Sequence, residues 1–291
     1  MRALIFGANG QDGIYLREHL ESKDIEVIGA SRSNSSYQGS VSDKSFVSQL
    51  VKDLKPDFIF HLAANSTTKH DCLQENHETI STGTIHILES VKTYAPYSKV
   101  FLSGSALQFE NNGRPINEKT PFVASSSYAA SRIASVYMGR YFREAFETQV
   151  YVGYFFNHDS PLRSNRHVNK KIAQAAKDIK RGLTQKLQIG DISVKKEFNH
   201  AKDIVRAIWT LVGQNSTFET VIGSGVAYSI EDWIEICFSK VHLNWRNHVV
   251  IDPNFKPEYS CLVSDPTIIK SLGWEPIFSI KDLADEMMKD L

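Results

Sequence analysis

The stretch Gly7-Ala8-Asn9-Gly10-Gln11-Asp12-Gly13 follows the apolar run Leu4-Ile5-Phe6 and opens a segment with helical periodicity. Glycine is required where a backbone turns sharply, and where it must approach a pyrophosphate without a Cβ atom in the way. The amino terminus of the following helix presents free N–H groups and a positive dipole end to such a phosphate. The stretch therefore predicts a dinucleotide-binding turn; the alternative is an ordinary strand-to-helix turn.

Short apolar runs alternate with amphipathic segments through the first half of the chain, which predicts a Rossmann-type α/β fold with a doubly wound parallel sheet. Residues 1–155 are expected to form the dinucleotide-binding domain. Residues 156–291 are expected to form a small mixed α/β substrate lobe, with some segments returning to the sheet. The predicted strands contain Leu4-Ile5-Phe6, Val27-Ile28-Gly29, Phe58-Ile59-Phe60, Val100-Phe101-Leu102 and Val150-Tyr151-Val152. Predicted helices cover 11–22, 43–54, 76–94, 126–147, 167–181, 200–213, 229–240 and 279–290.

Composition excludes several classes of function. The 291 residues carry 33 basic and 33 acidic side chains, which predicts no nucleic-acid partner, and no apolar run is long enough to span a bilayer. The first residues read as a strand and not as a signal peptide, and three widely spaced cysteines fit a reducing compartment, so we expect a cytoplasmic protein. The ten histidines show no metal-ligand spacing, so no metal site is predicted.

The loop after the second predicted strand indicates which dinucleotide is bound. NAD-binding proteins commonly carry an acidic residue about 20 positions beyond the turn. Here the sequence reads Ala30-Ser31-Arg32-Ser33-Asn34, and the next carboxylate is Asp43. Because a guanidinium forms paired, charge-assisted bonds to phosphate oxygens, Arg32 with Ser33 predicts a 2′-phosphate and therefore NADP. A solvated loop arginine is the alternative, and NAD remains possible as the cofactor.

Six segments of the chain match a known pattern, and the most specific are Phe156-Asn157-His158-Asp159-Ser160-Pro161 and His200-Ala201-Lys202-Asp203. They resemble the extended short-chain dehydrogenase/reductases, in particular GDP-mannose 4,6-dehydratases and GDP-4-keto-6-deoxymannose reductases. The resemblance covers most of the chain. It implies hydride transfer at C4 of a nucleotide-linked, GDP-mannose-derived hexose. The segments that carry it are Gly10-Gln11-Asp12-Gly13, His61-Leu62-Ala63-Ala64, Glu118-Lys119-Thr120-Pro121-Phe122, Phe156-Asn157-His158-Asp159-Ser160-Pro161, His200-Ala201-Lys202-Asp203 and Leu272-Gly273-Trp274-Glu275-Pro276.

The resemblance also implies three catalytic residues. In the family, a serine or threonine contacts the sugar oxygen at C4, a tyrosine exchanges its proton, and a lysine four residues later supports the tyrosinate. Ser105 and Tyr128 match the first two positions, with a strand-end serine as the alternative for Ser105. Arg132 occupies the lysine position, one helical turn after Tyr128 and on the same face. Arginine keeps the positive charge but cannot give up a proton, so either altered chemistry or a loss of turnover is expected.

A second departure from the family bears on the reaction. Dehydratases of this family carry a glutamate two positions after the serine or threonine, where this chain has Leu107. Leucine cannot remove the C5 proton, and elimination requires a positioned base. We therefore expect 4-keto-6-deoxy sugar reduction first and a 4,6-dehydratase second. The third expectation is a catalytically silent homologue that binds nucleotide sugars.

The remaining contacts are also implied by the resemblance. Further cofactor contacts are expected from Leu62, Ala63, Ala64, Tyr128, Arg132, Phe155 and Asn157. Substrate contacts are expected from Ser66, Ser105, Asn157, Val168, Lys171, Lys196, Lys256 and Glu258, with solvated surface side chains as the alternative for the three lysines. An excess of apolar residues on the helix of Tyr128 predicts a homodimer or larger homo-oligomer; these are Ile133, Val136, Tyr137, Phe142 and Phe146.

Overall fold

The computed structural model describes residues 1–289 and contains fourteen strands and ten α-helices in that range. The strands are β1 (Arg2–Phe6), β2 (Glu26–Ser31), β3 (Tyr37–Gln38), β4 (Phe58–His61), β5 (Lys99–Ser105), β6 (Val150–Phe155), β7 (His158–Asp159), β8 (Leu187–Ile189), β9 (Lys195–Glu197), β10 (Asn199–His200), β11 (Glu219–Ile222), β12 (Ala227–Ser229), β13 (Val249–Ile251) and β14 (Cys261–Leu262). The helices are α1 (Gln11–Glu21), α2 (Lys44–Leu54), α3 (Leu73–Asn76), α4 (Gly83–Tyr94), α5 (Ser127–Phe146), α6 (Val168–Lys180), α7 (Ala201–Val212), α8 (Ile230–Lys240), α9 (Thr267–Ser271) and α10 (Ile280–Met288).

Seven of these strands form one parallel sheet in the order β11-β6-β5-β4-β1-β2-β3. The order reverses at β1, because β2 and β3 lie on one side of it and β4 to β6 lie on the other. Ligands of such sheets bind outside the carboxyl ends of the strands, beside the point of reversal. The predicted Rossmann-type sheet is therefore confirmed, and its switch point lies at the glycine turn.

The strand sequences explain why the sheet is covered on both faces. The middle of β5 is Val100-Phe101-Leu102, and each of these side chains is almost fully buried. Continuous apolar runs of this kind are typical of parallel strands with helices on both sides. Helices begin where a side chain can cap them: Asp43 accepts from two backbone N–H groups of α2, and Ser126 accepts from Ala129 at the start of α5.

One predicted helix is interrupted. The stretch 76–94 contains a π-helical turn over His77–Thr82 between α3 and α4. The Thr84 hydroxyl donates to the Ile80 carbonyl of this turn at 2.7 Å, and the Ser81 hydroxyl donates to the Ser131 carbonyl, which ties the turn to α5. The other predicted helices agree with the structure to within two residues, and the predicted end at residue 290 lies outside the described range.

The second half of the chain contributes to two cores. Helix α7 packs on α1, and β11 extends the central sheet beside β6. Helices α6, α8 and α10 instead enclose a separate core that contains Trp233 and Phe238. The division of the chain at residue 155 stays a prediction. None of the helices within residues 1–289 has both the length and the apolarity to cross a membrane.

The outer face of α5 is less apolar than its sequence suggests. Val136 and Phe142 belong to the main core, which accounts for two of the five residues that predicted an oligomer. Tyr137 and Phe146 are exposed. The apolar excess on this helix is therefore smaller than expected, and oligomerisation stays a prediction.

Candidate active site

The glycine turn between β1 and α1 packs against the chain that follows β4. Gly7 has a φ of +89°, and a Cβ atom there would lie 2.7 Å from the Ala63 nitrogen. A Cβ atom on Gly13 would overlap the Gly7 carbonyl oxygen, so the turn itself requires both glycines. Gly10 differs, because among the described atoms a Cβ atom there would meet only the Gly7 oxygen, at 3.4 Å. Gly10 lines an open pocket, so the turn leaves room for a phosphate and fits a dinucleotide.

The first turn of α1 offers free N–H groups to an anion, and its polar side chains are hydrogen-bonded to the segment after β6. Gly10 caps the helix without a side-chain hydrogen bond, which leaves the first N–H groups available. The Ser160 hydroxyl donates to Gln11 Oε1 at 2.8 Å, and His158 Nε2 lies 3.0 Å from Asp12 Oδ1. Burial disfavours the charged form of Asp12, but His158 outweighs it and lowers the pKa of Asp12 to about 2. Burial likewise opposes a charge on His158, yet Asp12 raises the pKa of His158.

Two connected depressions lie along the carboxyl edge of the sheet. The main cleft, of about 750 Å³, lies among the ends of β4, β5 and β6. The turn pocket, of about 160 Å³, lies beside the glycine turn and the end of β2. Leu62 and Asn65 line both, so the two depressions adjoin each other, and together they are called the path. An elongated ligand such as a dinucleotide fits this shape.

Many of the predicted contact residues lie along this path. The main cleft is lined by Asp12, Leu62, Ser66, Ser105, Tyr128, Arg132, Phe155 and Asn157. The turn pocket is lined by Gly7, Gly10, Arg32, Leu62, Ala63 and Ala64. Four other predicted cofactor residues, Asn9, Gln11, Gly13 and Ser33, line neither depression and instead hold the turn; the amide of Asn9, for example, donates to the Ser33 carbonyl.

Tyr128 and Arg132 meet at one wall of the main cleft, on the first two turns of α5. Arg132 Nε donates to the Tyr128 phenol oxygen at 3.1 Å. Arg132 Nη1 donates to the Ser103 carbonyl and, at 2.7 Å, to the Ser103 hydroxyl. Arg132 is only 4% exposed, so its charge acts on the phenol with little screening by water. This geometry would stabilise negative charge on the phenol oxygen.

Strand β5 places two serines on the same side. Ser103 and Ser105 are separated by two positions, so both side chains face the same side of the pleated sheet. The Ser103 hydroxyl donates to the His61 carbonyl at 2.9 Å, which fixes it as an acceptor for Arg132. Ser105 Oγ accepts from the Leu107 N–H at 3.2 Å; in the described contacts it acts as an acceptor, so its hydrogen stays available to a ligand.

Leu107 lines the main cleft close to Ser105. The position where the family resemblance places an elimination base therefore presents an apolar side chain to the cleft. Among the described lining residues Asp12 is the one carboxylate, and its hydrogen bonds to His158 already engage it.

His61 adds no second positive charge beside Tyr128 and Arg132. It ends β4, is 1% exposed, and lies near Arg132. Burial, followed by the charge of Arg132, lowers the pKa of His61 to about 4. His61 is consequently neutral at physiological pH, and Arg132 is the charged group beside Tyr128.

The far end of the path carries an ion pair. Arg32 Nη1 lies 2.9 Å from Glu75 Oε1, and the Asn65 amide donates to Glu75 Oε2 at 2.9 Å. Asn65 and then Arg32 lower the pKa of Glu75. Arg32 thus lies in the turn pocket, as expected for a residue that contacts the dinucleotide, but a carboxylate already engages it.

Basic residues also line the main cleft. Lys69, Arg163, Arg166 and His167 all face the main cleft. Burial, followed by the charge of Arg163, lowers the pKa of His167 to about 4, so this histidine is neutral. The remaining positive charges suit a diphosphate.

A third depression of about 240 Å³ contains three of the predicted substrate residues, Val168, Lys196 and Glu258. Burial lowers the pKa of Lys196 to about 8. Glu258 accepts a hydrogen bond from the Thr68 hydroxyl at 2.7 Å, which joins this depression to the loop of the main cleft. Lys171 and Lys256 line none of the three depressions: Lys171 donates to the Gln188 carbonyl, and Lys256 is exposed.

Sequence reasoning missed several residues of this site, chiefly those whose partners are distant along the chain. Glu75 lies 43 residues from Arg32, and Ser103 lies 29 residues from Arg132. No local pattern marks such contacts. The sequence could have indicated a further group of site residues, because three basic residues follow directly after the segment around Asn157: Arg163, Arg166 and His167.

Comparisons with known proteins identify the family of the chain. The family model described as GDP-mannose 4,6 dehydratase matches residues 4–287. GDP-mannose 4,6 dehydratase 1 of Arabidopsis thaliana is 31% identical over 320 residues, which cover 99% of this chain and 89% of that protein. Human GDP-mannose 4,6 dehydratase is 28% identical, and the match covers 98% of this chain and 90% of that protein.

Solved structures share the fold. RMD from Pseudomonas aeruginosa, complexed with NADPH, superposes with a TM-score of 0.89 at 20% identity, covering 99% of this chain and 98% of that one. UDP-glucose 4-epimerase of Thermus thermophilus, complexed with NAD, gives a TM-score of 0.85 at 16% identity with both chains fully covered. From the match of nearly its whole length, the chain belongs to the GDP-mannose 4,6-dehydratase family.

Proposed function

We propose that this protein uses a nicotinamide dinucleotide to oxidise or reduce C4 of a nucleotide-linked hexose, as a step of a 4,6-dehydration of a GDP-mannose-type substrate. One observation carries the proposal. Arg132 donates to the Tyr128 phenol at the wall of a cleft that continues to the glycine turn, and Ser105 lines the same cleft. A sugar hydroxyl in this cleft would meet both a proton acceptor and a proton donor.

The proton chemistry at C4 follows from these contacts. A bound nicotinamide would supply the acceptor and donor of hydride. Tyr128, as phenolate, accepts the proton of the C4 hydroxyl during oxidation and returns it during reduction. Arg132 stabilises the phenolate through its Nε hydrogen bond, and the Ser105 hydroxyl donates to the C4 oxygen. Because arginine stays protonated, Arg132 acts as a fixed charge and not as a proton relay.

The family and the relatives favour dehydration over the reduction expected from the sequence. Curated relatives from plants, bacteria and animals are named GDP-mannose 4,6-dehydratases. We therefore place dehydration first. Leu107 still favours simple 4-keto reduction as the second candidate, because the cleft offers an apolar side chain where a C5 base is expected. Binding without turnover is the third outcome.

The substrate is proposed to span the main cleft and the third depression. The diphosphate would lie against Arg163, Arg166 and Lys69, with the base towards Lys196 and Glu258. Asn157, which lies beside Tyr259, would contact the sugar. We propose NADP as the cofactor, because Arg32 lies in the turn pocket; structural neighbours hold either NADPH or NAD.

Two further proposals concern the setting of the protein. The three cysteines are free, which supports a reducing, cytoplasmic compartment. Tyr137, Tyr141 and Phe146 form an exposed aromatic surface on α5, which supports a homo-oligomer.

The proposed reaction is tested with two substrates. Purified protein with GDP-mannose and NADP is analysed by mass spectrometry for loss of one water. A parallel sample with GDP-4-keto-6-deoxymannose and NADPH is followed by NADPH fluorescence. Water loss without net cofactor change supports dehydration, and NADPH oxidation supports the reductase. Binding of both ligands with neither change overturns both reactions in favour of the silent homologue.

A pair of variants at one position sharpens this test. Leu107→Glu introduces a carboxylate where the family resemblance places the base, and Leu107→Gln adds a side chain of similar size without one. If the missing base prevents elimination, Leu107→Glu gains water loss and Leu107→Gln does not. If the native protein already dehydrates, neither variant is needed, and a base elsewhere in the cleft must be sought.

A further inference from the structure

The ion pair at the far end of the path places two opposite charges beside the glycine turn. Arg32 and Glu75 both line the turn pocket, together with Gly7 and Gly10. Each Glu75 oxygen has its own donor, since Oε1 pairs with Arg32 and Oε2 accepts from Asn65. The carboxylate is thus fixed in the pocket, whereas the Arg32 side chain is 73% exposed and free to change conformation.

This arrangement has opposite consequences for the two dinucleotides. NADP carries a 2′-phosphate, which attracts Arg32 and is repelled by Glu75. NAD carries a hydroxyl at the same position, and a carboxylate is the usual partner of that hydroxyl. Arg32 gives one guanidinium N–H to Glu75, so a phosphate that binds Arg32 must either displace this contact or lie close to the carboxylate. The ion pair therefore weakens NADP binding and does not compete with NAD.

We propose that Glu75 sets the cofactor preference of this chain, by competing with the 2′-phosphate of NADP for Arg32 and by keeping the pocket able to accept NAD. The inference rests on the dinucleotide site of the proposed function. It modifies the expectation drawn from Arg32 alone: the arginine is present, but the carboxylate from α3 weakens its selectivity. The pocket therefore binds NAD and NADP with affinities within about tenfold of each other.

Calorimetric titration of the sugar-free protein with NAD and with NADP tests this, because the two ligands differ only in the 2′-phosphate. Glu75→Gln should tighten NADP binding about tenfold, and it should weaken NAD binding by no more than about twofold, because the glutamine carbonyl can still accept from the ribose hydroxyl. Arg32→Ala should weaken NADP binding. In the double variant that combines Arg32→Ala and Glu75→Gln, NADP should bind little more tightly than in Arg32→Ala alone, because Arg32 is no longer present to bind the phosphate.

The matched control is Glu78→Gln. Glu78 lies three residues further along, is exposed, and accepts from Gln74 outside the turn pocket. This variant removes the same charge and should leave the NADP-to-NAD ratio unchanged. An equal effect of the two variants, or no change of the ratio in Glu75→Gln, overturns the role of Glu75. Failure of the native protein to bind either dinucleotide overturns the cofactor site itself, and the role of Glu75 with it.

Discussion

The path contains two arginines in opposite physical settings. Arg132, at the wall of the main cleft, is 4% exposed and donates to the Tyr128 phenol and to two Ser103 oxygens. Arg32, in the turn pocket, is largely exposed and makes one ion pair with Glu75. A buried guanidinium with several acceptors is held in one position, whereas an exposed ion pair contributes little and is easily exchanged. The first setting suits a fixed charge in catalysis, and the second suits selection between ligands.

The largest effect is expected at Tyr128, because the fixed charge of Arg132 acts through its phenol. Tyr128→Phe removes the proton acceptor and should lower kcat by about 1,000-fold. Single-turnover measurement of C4 oxidation checks this. Tyr137→Phe is the matched control on the exposed face of the same helix and should have no effect. Equal activity of the two variants would remove Tyr128 from the mechanism.

The pH dependence of stability shows whether His61, beside Arg132, stays uncharged in the folded protein. Its pKa is about 4 in the folded protein, against an ordinary value of 6.5 for histidine, so the unfolded chain binds the extra proton between these values. The associated stability is complete above about pH 6.5 and is lost as the pH falls towards 4, by about 3 kcal/mol. Urea unfolding across this range should show a shallower pH dependence for His61→Gln. Parallel curves would contradict the prediction.

Arg132 itself should matter for both stability and activity. Arg132→Met leaves the Ser103 carbonyl and the Tyr128 hydroxyl without their donor, and should lower the free energy of unfolding by about 2 kcal/mol. Arg132→Lys keeps the charge but not the forked geometry, and should retain more activity than Arg132→Met. Urea denaturation and kcat are measured for both variants. Equal kcat values would show that the charge has no role.

The smallest effect is expected at the exposed arginine. Arg32→Ala should change the free energy of unfolding by less than about 0.5 kcal/mol, because exposed ion pairs contribute little. Urea denaturation of Arg32→Ala and Arg132→Met under the same conditions compares their free energies of unfolding directly. A stability loss as large as that of Arg132→Met would mean that the Arg32–Glu75 pair is structural and not exchangeable.

Local patterns predicted the framework of the site well. The glycine turn, the strands and the helix of Tyr128 follow from periodicity and capping, which act over a few residues. The contact between Arg132 and Tyr128 could be predicted for the same reason, since the two residues are one helical turn apart.

What could not be predicted depends on how distant segments pack. The partner of Arg32 comes from α3, far along the chain, and two of the oxygens that hold Arg132 come from β5. The lysines that were predicted to contact a substrate show the same limit. Lys196 is buried in a depression, whereas Lys256 is exposed, and nothing in their local sequence separates them.

The bonds from Gln11 to Ser160 and from Asp12 to His158 have a consequence for synthesis on the ribosome. They join residues 149 and 146 positions apart, across the predicted domain boundary. The partners of Gln11 and Asp12 are therefore translated 149 and 146 residues after these side chains of the glycine turn. A nascent chain that stops near residue 155 therefore carries Asp12 without the histidine that holds its charge. The hydrogen bonds of Gln11 and Asp12 are therefore completed late, only when the segment around His158 and Ser160 has joined the glycine turn.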